Sequence, residues 1–173
     1  MPVIVESSPQ VHYVVLGATH PHLKRHEGEA YRESLIARVA ELGLADNVSF
    51  VDRCCELDAL TDWLGAADIY VTPYRNPAQI TSGTLSYAIG LGKAVVSTPY
   101  VHATEILADE HGILVPLQSP KALGDAVSRL LTDDGLRMAM ADRAYARGRS
   151  MIWPRNAENV LTTMSAGLQR SRI

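Results

Sequence analysis

Short, almost wholly apolar runs recur along this chain, separated by segments of helical length that carry their apolar residues on one face. The clearest run is Ala94-Val95-Val96-Ser97, after Gly90-Leu91-Gly92-Lys93; with no polar alternation, it reads as a strand buried on both faces. Four more runs resemble it: Val11 to Gly17, Asn47 to Asp52, Asp68 to Thr72, and Ile113 to Pro116. Strands that alternate with helices are joined by crossovers, not hairpins, and this makes their sheet parallel. The expected fold class is therefore α/β, a Rossmann-like parallel sheet with helices on both faces. At 173 residues the chain is one domain of ordinary size, able to bury a proper core.

The intervening segments follow helical spacing. Glu29 to Leu42 places Tyr31, Leu35, Ile36, Val39 and Leu42 on one face, leaving Arg32, Glu33, Arg38 and Glu41 to solvent. Leu57, Leu60, Trp63 and Leu64 mark a short helix whose role is packing. Ser119-Pro120 caps a helix over Lys121 to Leu131, since a proline at the first helical position forfeits no hydrogen bond. A further helix covers Asp134 to Arg147, with Arg137, Arg143, Arg147 and Arg149 on a wet surface. The last helix, Asn156 to Leu168, would expose part of Val160, Leu161 and Met164, a face that could pair with a second copy.

Composition removes several classes of function. A net charge of −3 gives no electrostatic case for binding nucleic acid. Adjacent Cys54 and Cys55 cannot build a disulfide framework and fit a reducing, cytoplasmic compartment. No apolar run approaches the roughly 20 residues that would make a transmembrane segment. His20, His22 and His26 lack the thiolate or carboxylate company of a metal site, and neither a metal nor a cofactor is expected.

The stretch from Pro73 to Ser97 carries the chemistry. Pro73 and Pro77 stop a strand and stiffen the loop after it; Thr81 and Ser82 can cap the next helix. Gly83 lets another group approach the first turn closely. Backbone N–H groups at Ser82, Gly83 and Thr84, at the positive end of a helix dipole, can seat a phosphate. Many such turns bind nothing, and the local residues also fit an ordinary strand-to-helix turn in which Gly83 only relieves crowding.

The same stretch resembles a family signature. Thr72-Pro73, Gly83, Gly92-Lys93-Ala94-Val95-Val96 and Ser97-Thr98, with Glu105-Ile106-Leu107 and His111-Gly112-Ile113-Leu114-Val115-Pro116 downstream, fall in register with the retaining, nucleotide-sugar-dependent glycosyltransferases of the GT-B fold, the glycosyl transferase group 1 family. The agreement runs from about Val11 to Trp153. The resemblance implies the carboxy-terminal half of a GT-B fold. The chain would be a single donor-binding domain over 1–173, a fragment lacking its first strand and an amino-terminal acceptor domain. It implies a UDP-, GDP- or ADP-linked sugar as substrate, hexosyl transfer by the full-length enzyme, and an inactive fragment. By analogy Gln79 stands beside the donor sugar as the catalytic candidate, while Gly17, Arg53, Ser82, Gly83, Thr84 and Tyr87 are the donor-binding candidates.

One departure touches the chemistry. Gln79 and Tyr87, eight positions apart, occupy the places of two family glutamates. Gln79 can hydrogen-bond a sugar, but it brings no negative charge to a developing oxocarbenium ion. Two alternatives follow: a nucleotide-binding or scaffold module with a decayed site, and a nucleotide-sugar epimerase on the same architecture.

Overall fold

The computed structural model describes residues 1–170; the last three residues of the expected 1–173 domain lie outside them. In chain order the elements are α1 (Pro2–Ser7), β1 (Tyr13–Leu16), α2 (Pro21–Glu27), α3 (Ala30–Glu41), β2 (Val48–Val51), α4 (Leu57–Ala66), β3 (Ile69–Thr72) and α5 (Gly83–Gly90). They continue with β4 (Ala94–Ser97), α6 (Val101–Ile106), β5 (Ile113–Leu114), α7 (Pro120–Thr132), α8 (Asp134–Ser150) and α9 (Trp153–Arg170). Every expected strand is present, and all pairings are parallel. The α/β reading holds.

The strands form two sheets, not one. β1 pairs with β2, and β4 lies between β3 and β5. Burial follows pairing. β4, paired on both edges, is buried at all its positions, whereas β1 and β3, each paired on one edge, are half-buried along most of their length.

Alternation along β4 builds the core on both faces of its sheet. Val95 joins Leu85, Ala88 and Ile89 of α5, Ala103 and Ile106 of α6, Tyr100 and Leu107. Ala94 and Val96 turn the other way, toward Ile4 of α1, Val115, and Ala126, Val127 and Leu130 of α7. Leu85, Ile89, Val95 and Val96 are wholly inaccessible to solvent, each contributing about 1.5–3 kcal/mol by burial. This core fixes where α5 begins.

Caps mark the helix boundaries. Ser119 Oγ accepts from the Ala122 N–H, with Pro120 opening α7 as the sequence suggests. Asp133 caps α8 through Leu136 N–H. α5 and α8 cross at two glycines: a Cβ on Gly148 would stand 2.7 Å from Gly90 Cα. Gly92 ends α5 at φ +66, a conformation that favours glycine.

Two surface expectations need correction. Tyr31, Ile36 and Leu42 are exposed and no residue of α3 is fully buried, so the apolar face expected of this helix is not covered. Arg32 and Arg137 go the other way, with side chains only 14% and 21% exposed, and Arg137 donates to the Leu130 carbonyl. Val160, Leu161 and Met164 of α9 are exposed, as expected. No helix among the described residues is long and apolar enough to cross a membrane.

Candidate functional site

The loop between β3 and α5 runs along the carboxyl edge of the three-stranded sheet, where ligands of open parallel sheets bind. Local chemistry shapes its start: Asn76 Oδ1 accepts from the Ala78 N–H, an Asx turn. Its remainder is sewn to the neighbouring helix α6. The Val101 N–H donates to the Pro77 carbonyl at 3.1 Å and the His102 N–H to the Gln79 carbonyl at 3.4 Å. In return the Ser82 N–H donates to His102 Nδ1 at 2.9 Å. Strands β3 and β4 are neighbours, so the segments leaving their carboxyl ends meet.

α5 therefore starts in a fixed place. Ser82 is its cap residue, buried, with Oγ accepting from the Leu85 N–H. Thr84 Oγ1 accepts from the Tyr70 hydroxyl at 2.7 Å. Burial pushes that phenol up to about 12, with the Thr84 hydrogen bond opposing the shift. The N–H groups of Gly83 and Thr84 have no partner among the described residues. Gly83 is exposed, and a Cβ added there would meet nothing within 4 Å. Two amides at the positive end of a helix thus stand ready for an acceptor, while the Ser82 amide is committed to an imidazole.

Gln79 and Tyr87 flank this start. Gln79 is half-buried, and its Nε2 donates to the Thr81 carbonyl at 2.7 Å, folding the amide back on its own loop. Tyr87 is 42% exposed. It lies one turn beyond Gly83, on the same side of α5.

Gly17 and Arg53 stand elsewhere, at the carboxyl edge of the two-stranded sheet. The Gly17 N–H donates to the Val51 carbonyl at 3.1 Å, and φ +139 at Gly17 is open to glycine and little else. Arg53 is exposed and, with Trp63 and Asp62, lines a shallow hollow on α4 of about 260 Å³. No hydrogen bond or ion pair among the described residues joins either residue to the α5 loop. The structure brings Gln79, Ser82, Gly83, Thr84 and Tyr87 together and leaves Gly17 and Arg53 as a second group.

Arg32 fastens the Gly17 side of that second group. Its Nη2 donates to the Gly17 carbonyl and pairs with Asp52 at 3.1 Å, while Nε lies 3.4 Å from Glu29. Glu29 also takes the Thr19 hydroxyl at 2.6 Å and the Lys24 ammonium at 2.8 Å. Hydrogen bonds from Lys24 and then Thr19 hold the Glu29 carboxyl below the ordinary glutamate range; Glu29 in turn raises Lys24. Helical periodicity alone assigns Arg32 to solvent. The signal it misses is the acceptors Gly17 and Asp52, which lie one residue beyond the adjacent strands β1 and β2.

A groove of about 370 Å³ lies beyond the ends of β3, β4 and β5, lined by Pro73, Tyr74, Arg75, Thr98, Val115 and Pro116 among others. None of the α5-start residues lines it. Among the described residues no group of three or more His, Cys, Asp or Glu side chains is disposed to hold a metal. The His20 ring caps α2 through the His22 N–H, and His22 packs against His26.

The sequence profile described as glycosyl transferases group 1 matches residues 1–133. The chain belongs to this family. It is 32% identical over 147 residues to a D-inositol 3-phosphate glycosyltransferase of Xylanimonas cellulosilytica, covering 82% of this chain and 33% of that protein. It is 33% identical over 127 residues to the lipopolysaccharide core biosynthesis mannosyltransferase LpsB of Rhizobium meliloti, covering 72% of this chain and 33% of the relative. The chain spans about a third of the length of these two curated relatives. HepE of Anabaena, solved in complex with UDP, superposes with a TM-score of 0.76 at 18% identity over 96% of this chain and 45% of that one. At that identity the likeness concerns the fold. The group 1 chain thus has the Rossmann-like architecture expected of a GT-B half.

Proposed function

We propose that this chain is the donor-binding part of a retaining, nucleotide-sugar-dependent glycosyltransferase, and that the diphosphate of the donor lies against the start of α5. The observation that carries the reading is the pair of free amides at Gly83 and Thr84, on an exposed helix start in a chain of the group 1 family. Gln79 and Tyr87, which border that start, are the groups nearest the sugar and the nucleotide. Gly17 and Arg53 contact the donor from the other sheet once the two sheets are held together. HepE, of the same fold, is in complex with UDP, in keeping with this reading. Unpaired Cys54 and Cys55 suit a cytoplasmic enzyme.

The division of the sheet supports a fragment. β1 and β3 each leave one edge unpaired, and half-buried apolar residues line both strands. Val11, just before β1, already shares an apolar cluster with Ile69 and Val71 of β3. One further parallel strand, supplied by the rest of the protein, would join the two sheets and complete the burial of both. Transfer of a hexose to an acceptor then takes place in the whole protein, against a second domain.

Calorimetric titration of the chain with UDP, GDP and ADP tests the reading. Weak binding of one of them without sugar turnover is expected. Binding of none removes the donor site, and robust turnover by the isolated chain removes the fragment. A second reading, a module that binds a nucleotide without transferring sugar, draws on the Gln79 amide turned back onto Thr81. It expects donor binding but no transfer even when the whole protein is assayed.

A further inference from the structure

We propose that His102 is a donor-binding residue, its Nε2–H making a third hydrogen bond to the phosphate held by the Gly83 and Thr84 amides. The inference rests on the donor-binding reading above and adds a residue to it. His102 is locked at two points: its main-chain N–H donates to the Gln79 carbonyl at 3.4 Å, and its Nδ1 accepts from the Ser82 N–H at 2.9 Å. The second bond sets the tautomer. A nitrogen that accepts from an amide carries no proton, so the ring proton sits on Nε2. Among the described residues nothing accepts that proton, and Nε2 is not one of the buried, unsatisfied atoms; it is a donor open to solvent.

Position does the rest. The ring is bonded to the residue immediately before Gly83, so Nε2 lies one imidazole's width from the residue that caps α5. Asparagine could hold the loop as well, since its carbonyl can stand where Nδ1 does. Histidine adds a donor on the far side. The Ser82 amide, lost to the ligand because the ring consumes it, is thereby replaced by a donor of longer reach. No charged side chain needs to move, and a donor fixed before binding loses little entropy when it engages.

Two substitutions separate the roles. His102→Asn keeps an acceptor for the Ser82 N–H and removes the distal donor. His102→Gln places an N–H near the Nε2 position and moves the acceptor away from the Nδ1 position. Binding of the tightest of UDP, GDP and ADP, and of its uncharged nucleoside, is measured on the full chain by calorimetry, with a thermal melt of each variant. His102→Asn is expected to melt like the parent and bind the nucleotide about tenfold more weakly, about 1.4 kcal/mol, with nucleoside binding unchanged. His102→Gln is expected to melt lower and to bind the nucleotide more tightly than His102→Asn. In the parent protein the ring ¹⁵N signals should show an unprotonated Nδ1 and a protonated Nε2, and Nε2 should shift on adding nucleotide. Parent-like nucleotide binding by folded His102→Asn, or an Nε2 signal that stays still, overturns the His102 proposal and leaves the donor site standing. Failure of the parent protein to bind any of the three nucleotides overturns the donor-binding reading, and this inference with it.

Discussion

Gly83→Val is the most direct probe of the α5 start, because it separates ligand approach from folding. Gly83 is exposed, opens the helix, and does not adopt a positive φ. A Cβ there meets nothing within 4 Å, so the added side chain displaces no part of the protein. Replacing glycine where the backbone permits it stabilises by about 0.4–1 kcal/mol, chiefly by restricting the unfolded chain. The branched side chain of valine gives some of this back in a helix. The net change stays within about 1 kcal/mol, and the melting temperature within about 4 °C for a domain of this size. Binding responds differently. The valine methyls would occupy the open space beside two free amides, and a hydrogen bond to a charged group contributes about 1.5–3 kcal/mol. Loss of one such bond weakens nucleoside diphosphate binding by about ten- to a hundredfold. Calorimetric titration beside a thermal melt reads both quantities. A folded Gly83→Val protein that binds as tightly as the parent would refute the site at the α5 start; a large fall in melting temperature would refute the claim that the space is open.

Other expectations concern the scaffold. Gly148→Ala pushes a Cβ to 2.7 Å from Gly90 Cα and 2.9 Å from the Ile89 carbonyl, both backbone. α5 and α8 must part, at a cost of about 1–3 kcal/mol read by urea unfolding; parent-like stability would show that this crossing is loose. Glu29 sets a pH dependence. Its folded-state pKa is lowered, so the folded chain binds fewer protons than the unfolded one in the acid range. The stability it contributes is present above the ordinary glutamate value of about 4.3 and is lost as pH falls through the folded value. Melts from neutral to acid pH should show Glu29→Gln less stable than the parent near neutrality, with the gap closing in acid; a gap independent of pH would exclude this ionisation as its source.

The sequence by itself determined the strands and most of the helices in their order; α1 and α2, too short to show an apolar period, emerge only in the structure. Apolar runs of strand length, helical spacing between them, and the caps Ser82 and Ser119 are local properties, and each appears where local chemistry places it. It also determined that β4 is buried on both faces, since an unbroken apolar run has no side to give to water. Tertiary structure decided which polar groups meet. Arg32 leaves solvent because β1 and β2 end side by side and present Gly17 and Asp52 to one guanidinium. His102 takes the Ser82 amide because β3 and β4 are neighbours and their outgoing segments share an edge. Thr84 receives the Tyr70 hydroxyl by the packing of α5 on that same sheet. The three contacts join residues 14 to 20 positions apart, Tyr70–Thr84, Gly17–Arg32 and Ser82–His102. Periodicity tells which side of a helix is apolar; it carries no information about which strand lies next to which, and that adjacency chooses the partners.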